Sequence, residues 1–149
     1  MRGKLLLALD QFEPGQAAVD FTIGLATMSR SDVQVLHVRE LPASLRVPPL
    51  ESATEARVLV EETVDRLQTA GIAADGTACA ERERNVARRI VDEAAEQRCS
   101  AIVLGSLRLR GLQSLLGHGI RERVLRLSPL PVIVTPPALD VRERSAARL

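Results

Sequence analysis

The chain has 149 residues, 46% hydrophobic and 26% charged, with a formal net charge of +1. This is the size and make-up of one soluble globular domain with a real core, and the near-neutral balance gives no global attraction to nucleic acid or to an anionic membrane. Aromatic residues amount to 1%, Phe12 and Phe21 without any Trp or Tyr, so the stacking platforms of single-stranded nucleic acid binders are missing and the core must be built from Val, Leu, Ile and Ala.

The amino terminus holds an apolar run, Leu5 to Leu9, that Asp10 stops after five residues. Signal-peptide cores need roughly 7–15 apolar residues, and a membrane span needs about 20, so a cytoplasmic protein is expected. The run has strand length and no polar alternation, as a strand buried on both faces should. Asp10 then sets a carboxylate at its carboxyl end. Glu13-Pro14-Gly15 opens a helix, since proline is tolerated in the first helical turn. Ala17, Phe21, Leu25 and Met28 follow at helical spacing as its inward stripe, ending near Ser29, with Gly24 placed to allow close packing on the sheet.

Val33 to Val38 predicts a second strand. His37 lies inside it, where a lone histidine is more often packed or hydrogen-bonded than a ligand. Leu41 to Leu50 contains Pro42, Pro48 and Pro49 and predicts an irregular surface excursion at that strand's carboxyl end. Glu51 to Ala70 is the clearest helix, with Ala56, Val60, Val64 and Leu67 as its stripe and Gly71 as its cap. A short strand is expected in the second half of Ile72–Ala80, and a helix over Asn85–Gln97 with Val86, Ile90 and Ala94 facing inward. The free thiols Cys79 and Cys99 show no CxxC spacing and fit a reducing compartment.

The last unit carries the chemistry. Ala101–Leu104 is a buried strand ending in Gly105-Ser106. A basic, glycine-spaced stretch follows, then a helical pattern at Ile120, Val124 and Leu127, then Pro129-Leu130-Pro131 and the strand Val132-Ile133-Val134. Strands alternating with helices imply a parallel sheet covered on both faces, and open α/β sheets hold ligands at the carboxyl ends of their strands. If the final helix starts near Gly119, the N–H groups of Gly119, Ile120 and Arg121 suit an anion such as phosphate. Gly105, Gly111, Gly117 and Gly119 permit close approach, and Arg108, Arg110, His118 and Arg121 add positive charge. The spacing is too long for a dinucleotide fingerprint, and the Walker lysine is missing. A glycine-rich connection that merely joins strand to helix would look similar.

Gly105-Ser106, Gly111-Leu112, Leu115-Leu116, Glu122 to Arg126 and Pro129 to Val134 resemble the carboxyl-terminal half of the universal stress protein family. Leu5 to Asp10 with Glu13-Pro14, and Val35-Leu36-His37-Val38, resemble its first two strands. The resemblance implies an α/β domain over residues 1–136 with an open, parallel five-stranded sheet in the order 3-2-1-4-5 and helices on both faces, of the adenine nucleotide α-hydrolase-like type, and leaves residues 137–149 as a charged tail. It also implies a homodimer paired through Val132, Ile133 and Val134.

Many members hold ATP through G-x2-G-x9-G-[ST] after strand four. By position, Asp10 and Val38 match the nucleoside side and Gly105 the first motif glycine, with Ser106 beside it. Arg108 and His118 stand where the second and third glycines belong, and Gly119 replaces the hydroxyl residue. Gly117 and Gly119 flank His118, so a rearranged loop still offers backbone donors, together with Ile120.

Two functions follow from the resemblance. One is a stress-response regulatory dimer that binds ATP weakly or not at all and acts through an unknown protein partner or its own dimer state. The other is a working adenine-nucleotide module with a rearranged phosphate loop. No dedicated enzyme is expected, and slow ATP hydrolysis stays open only if nucleotide binds. His37 and His118 have no recognisable Ser or Cys partner, Gln11 to Gly15 replaces the Ser-Gly-Gly loop of ATP pyrophosphatases, and no Cys/His cluster has metal-ligand spacing. No catalytic residue and no metal site are assigned.

Overall fold

The computed structural model describes residues 2–9, 16–105 and 113–135. Its elements alternate as expected: β1 (Lys4–Leu9), α1 (Gln16–Ser29), β2 (Asp32–Leu41), α2 (Ala53–Thr69), β3 (Ala74–Arg82), α3 (Glu83–Glu96), β4 (Ala101–Leu104), α4 (Gln113–Leu127) and β5 (Val132–Val134). The strands form one parallel sheet in the order β3-β2-β1-β4-β5. The expected tail, 137–149, lies outside the described residues.

β1 is the centre. Leu7 stands between Val35 of β2 and Val103 of β4, and Leu6 between Gln34 and Ile102. Successive side chains point to opposite faces. Leu5 and Leu7 therefore join Val33, Val35 and Val103 in one core with Ala18, Val19 and Ala26 of α1 and Val60 and Leu67 of α2. Leu6 and Ala8 join Leu36, Ile102 and Leu104 in a second core with α3 and Val124 of α4. Leu6 and Leu7 are wholly buried. A continuous apolar run results because neither face is left to water.

The inward face of α1 differs from the expected one. Phe21 is 42% and Met28 85% exposed, whereas Ala18, Val19, Thr22 and Ala26 are buried. Ala18, Thr22 and Ala26 follow each other at four-residue steps and are small, so the helix can lie close on the sheet. The buried Thr22 hydroxyl donates to the Ala18 carbonyl at 2.8 Å, which removes the penalty of an unpaired polar group. Gly24 is exposed with open space where a Cβ would stand, so it serves no sheet contact.

The close approach occurs instead at Gly76 of β3. A Cβ there would lie 2.3 Å from Val60 Cγ1 and 2.9 Å from Val64 Cγ2 on α2. β2 and β3 are longer than the sequence pattern suggests and stay paired from Val33↔Ala74 to Leu41↔Arg82. β3 runs straight into α3, whose helix starts at Glu83.

Three helices end in the same way. Ile72 N–H donates to the Leu67 carbonyl at 3.0 Å, Ser31 N–H to Ala26 at 3.0 Å and Cys99 N–H to Ala94 at 2.8 Å. The residue before each donor has positive φ: Gly71 at 84°, Arg30 at 52° and Arg98 at 55°. This left-handed cap binds the orphan carbonyls of the last turn. At Gly71 it suits the residue, as expected, while Arg30 and Arg98 hold it against their Cβ. Cys99, just past the third cap, is buried, and loss of solvent raises its thiol pKa to about 11.

Gly76→Ala should lower the unfolding free energy by about 1–3 kcal/mol through overpacking. Adding Val60→Ala should recover part of that loss, because the two sites share one contact; urea unfolding with an unchanged m-value measures both. Arg98→Gly should raise stability by on the order of 1 kcal/mol by relieving a left-handed L-residue, read as a higher urea midpoint.

Candidate functional site

The carboxyl ends of the central strands form one edge. Register sets Leu9 opposite His37 and Ala8 opposite Leu104, so the end of β1, Val38 of β2 and Gly105 after β4 share that edge. Val38 is half-buried against the second core, and Gly105 is half-buried. Thr135 follows β5, is 2% exposed, and donates from its backbone N–H at 3.0 Å and its hydroxyl at 3.3 Å to the Leu104 carbonyl.

His37 is buried beneath this edge at 2% exposure. Its Nδ1 lies 3.1 Å from the Leu9 carbonyl oxygen, and its Nε2 lies 2.9 and 2.8 Å from the two carboxylate oxygens of Glu51. Both nitrogens face oxygen acceptors. A ring protonated on both donates to both, while a singly protonated ring can satisfy only one. The packed, hydrogen-bonded reading of His37 holds. Its partner is not legible in the sequence: Glu51 lies 14 residues on, beyond a proline-rich segment.

Glu51 does not begin α2, as the sequence suggested. It precedes the N-cap, Ser52, whose hydroxyl accepts from Glu55 N–H while Ser52 N–H donates to the Glu55 carboxylate. These bonds from Ser52 hold the Glu55 carboxyl below the usual range, the reciprocal pairing of a capping box. Arg39 donates to the Glu51 carbonyl at 3.4 Å.

The helix after β4 begins earlier in the chain than expected. α4 starts at Gln113, so Gly117, His118, Gly119 and Ile120 lie within a helix rather than ahead of one. The N–H groups of Gly119, Ile120 and Arg121 fall past its first turn, where they belong to carbonyls four residues back, and are not the free N-terminal donors the sequence suggested. Two glycines in one helix each lower propensity by about 1 kcal/mol relative to alanine. Packing overrides this, because Ile120 and Val124 bury on the second core. Asp10, Ser106 and Arg108 lie outside the described residues. Of the expected site residues, the structure therefore brings Val38 and Gly105 to the edge and places Gly117, His118, Gly119 and Ile120 in α4.

A second polar cluster is structural. Glu93 of α3 is 2% exposed. Its carboxylate receives Gln34 Nε2 at 3.3 Å and pairs with Arg89 at 2.9 Å, and Gln34 also donates to the Thr77 hydroxyl at 3.2 Å. A buried carboxylate needs such partners. A cavity of about 470 Å³ between α2 and β3 is lined by Ala53, Arg57, Val60, Glu61, Gly76 and Ala78, with a solvent-exposed Arg57–Glu61 pair at 3.8 Å. Among the described residues no group of three His, Cys, Asp or Glu could hold a metal ion, and no helix is long and apolar enough to cross a membrane.

The model of the universal stress protein family matches residues 1–136. Universal stress protein YxiE of Bacillus subtilis is 28% identical over 149 residues, covering 90% of this chain and 99% of its own. A universal stress family protein from Burkholderia pseudomallei has a similar structure, with a TM-score of 0.70, 26% identity, and coverage of 91% of this chain and 96% of its own. The universal stress protein of Archaeoglobus fulgidus, solved in complex with dAMP, is similar at a TM-score of 0.68 and 21% identity, covering 90% of this chain and 98% of its own. With the sheet order, the two cores and a family match over nine-tenths of its length, this chain belongs to the universal stress protein family.

Proposed function

We propose that this protein is a stress-response regulatory homodimer that binds ATP weakly or not at all and acts through a protein partner or through its own dimer state. The observation that carries the reading is the start of α4 at Gln113. Backbone donors that a phosphate chain would need at Gly119 and Ile120 fall inside a helix, and helical N–H groups past the first turn are already committed. Arg108, His118 and Gly119 depart from the phosphate motif in the same stretch. In this reading the role is regulatory, and His37 is engaged by Leu9 and Glu51.

A second reading, an adenine-nucleotide module, has its own support. The nucleoside side keeps Asp10 and Val38, Gly105 stands at the same edge, and a relative of the same fold holds dAMP. Dimerisation through β5 is supported by its position at the end of the sheet and by Val134, 39% exposed, since an open strand edge calls for a cover.

Equilibrium titration with labelled ATP decides between the readings. The first expects no saturable binding by the wild-type chain and a gain in Arg108→Gly. Submicromolar to low-micromolar binding that Asp10→Ala abolishes would establish the second. By sedimentation, the wild-type chain should be a dimer and Val134→Asp a monomer with unchanged helix content by circular dichroism, because two-fold pairing brings like charges together; a dimer that survives the substitution rules out this edge.

A further inference from the structure

One buried contact ties three separate parts of the chain together at the edge described above. His37 reaches the last carbonyl of β1 with one nitrogen and Glu51 with the other. Glu51 in turn is the point where the segment 42–50 returns to the fold. Upstream, that segment is anchored by Leu41, still paired with Arg82. Downstream, it is anchored by Glu51 on His37, by Arg39 on the Glu51 carbonyl and by the Ser52–Glu55 box. Between the anchors its bonds among the described residues are local: Val47 N–H to the Ser44 carbonyl at 3.2 Å and Arg46 N–H to the Ser44 hydroxyl at 3.2 Å. Leu45 is 106%, Val47 54% and Leu50 81% exposed, so apolar burial does not hold the segment down.

Among the described residues, the buried fastening of the segment then lies at Glu51. A carboxylate with both oxygens on one ring nitrogen, at a site that excludes water, is strong when paired and costly when the partner is lost. The same ring holds the Leu9 carbonyl, directly before Asp10, and sits directly before Val38.

We propose that His37 and Glu51 form a latch that fastens the 42–52 segment to the carboxyl edge, with His37 as the positioning residue that aligns the ends of β1 and β2 for a ligand. The alignment role rests on the adenine-nucleotide reading of that edge; the latch does not. Opening the latch frees the segment without unfolding either core, because residues 43–50 are exposed and none of them belongs to either cluster.

Hydrogen exchange on the full-length chain, without ligand, tests the latch. Glu51→Ala should speed exchange over residues 42–52 about tenfold, the loss of one buried charged hydrogen bond, while α3 exchanges as before. Glu51→Gln, which keeps an acceptor for Nε2, should fall between it and the wild type, and carries the comparison should Glu51→Ala not fold. The double variant His37→Gln/Glu51→Gln should be no faster than Glu51→Ala. Unchanged exchange over 42–52, or acceleration spread equally over α3, overturns the latch. Labelled ATP then tests the alignment, using wild type, Glu51→Gln and the gain-of-binding Arg108→Gly background. Weaker binding in Glu51→Gln at unchanged melting supports it, and equal affinity overturns it. Absence of binding in every background sinks the nucleotide reading and the alignment with it, leaving the latch to stand or fall on exchange.

Discussion

Burial of β1 on both faces is the constraint on which the rest of the molecule depends. A strand with Leu6 and Leu7 wholly buried needs a strand on each side and a helix layer above and below. β2 and β4 supply the first requirement, and α1 with α2 and α3 with α4 the second. Every other element is placed by its distance from that strand. β3, at one end of the sheet, has a weaker apolar pattern and has one strand neighbour among the described residues.

Close packing then sets finer features. Small residues on α1, and Gly76 beneath Val60 and Val64, bring two helices close to one face of the sheet. Left-handed caps at Arg30, Gly71 and Arg98 turn the chain sharply from each helix back to the sheet. Short returns of this kind keep all strands parallel, so that their carboxyl ends collect at one edge. Polar groups that must be buried along the way are matched locally: Thr22 with Ala18, Glu93 with Arg89 and Gln34, and His37 with Leu9 and Glu51.

The edge combines a buried histidine whose two nitrogens face oxygen atoms with a helix that starts early. His37 and Glu51 join the ends of β1 and β2 to the residue that precedes α2. On the other side, α4 draws Gly117 to Ile120 into its turns and withdraws their backbone from a loop. One side of the edge is thus tied by a buried contact, while on the other side residues 117–120 are helical. That asymmetry agrees with the departures at Arg108, His118 and Gly119.

Much of this was legible in the chain itself. Leu5 to Leu9, Val33 to Val38, Ala101 to Leu104 and Val132 to Val134 are apolar runs of strand length, and the stripes Ala56–Leu67 and Val86–Ala94 are periodic. Local pattern suffices where burial is set by period alone, and these elements determine the α/β class. Pattern fails where the decision belongs to a distant contact. The buried face of α1 goes to Ala18, Thr22 and Ala26 instead of Phe21 and Met28 because helix-to-sheet distance, not side-chain hydrophobicity, ranks those positions. α4 takes in Gly117 and Gly119 against their low propensity, with Val124 buried in the second core and Ile120 packed half-buried against it. Glu51 meets His37 only when the sheet brings the end of β2 beneath the return of the 42–50 segment. The sequence alone determines the layers and their order along the chain. Tertiary structure decides which side chain meets which at the edge, because a buried hydrogen bond depends on positions fixed to within fractions of an ångström, and no periodicity along the chain encodes them.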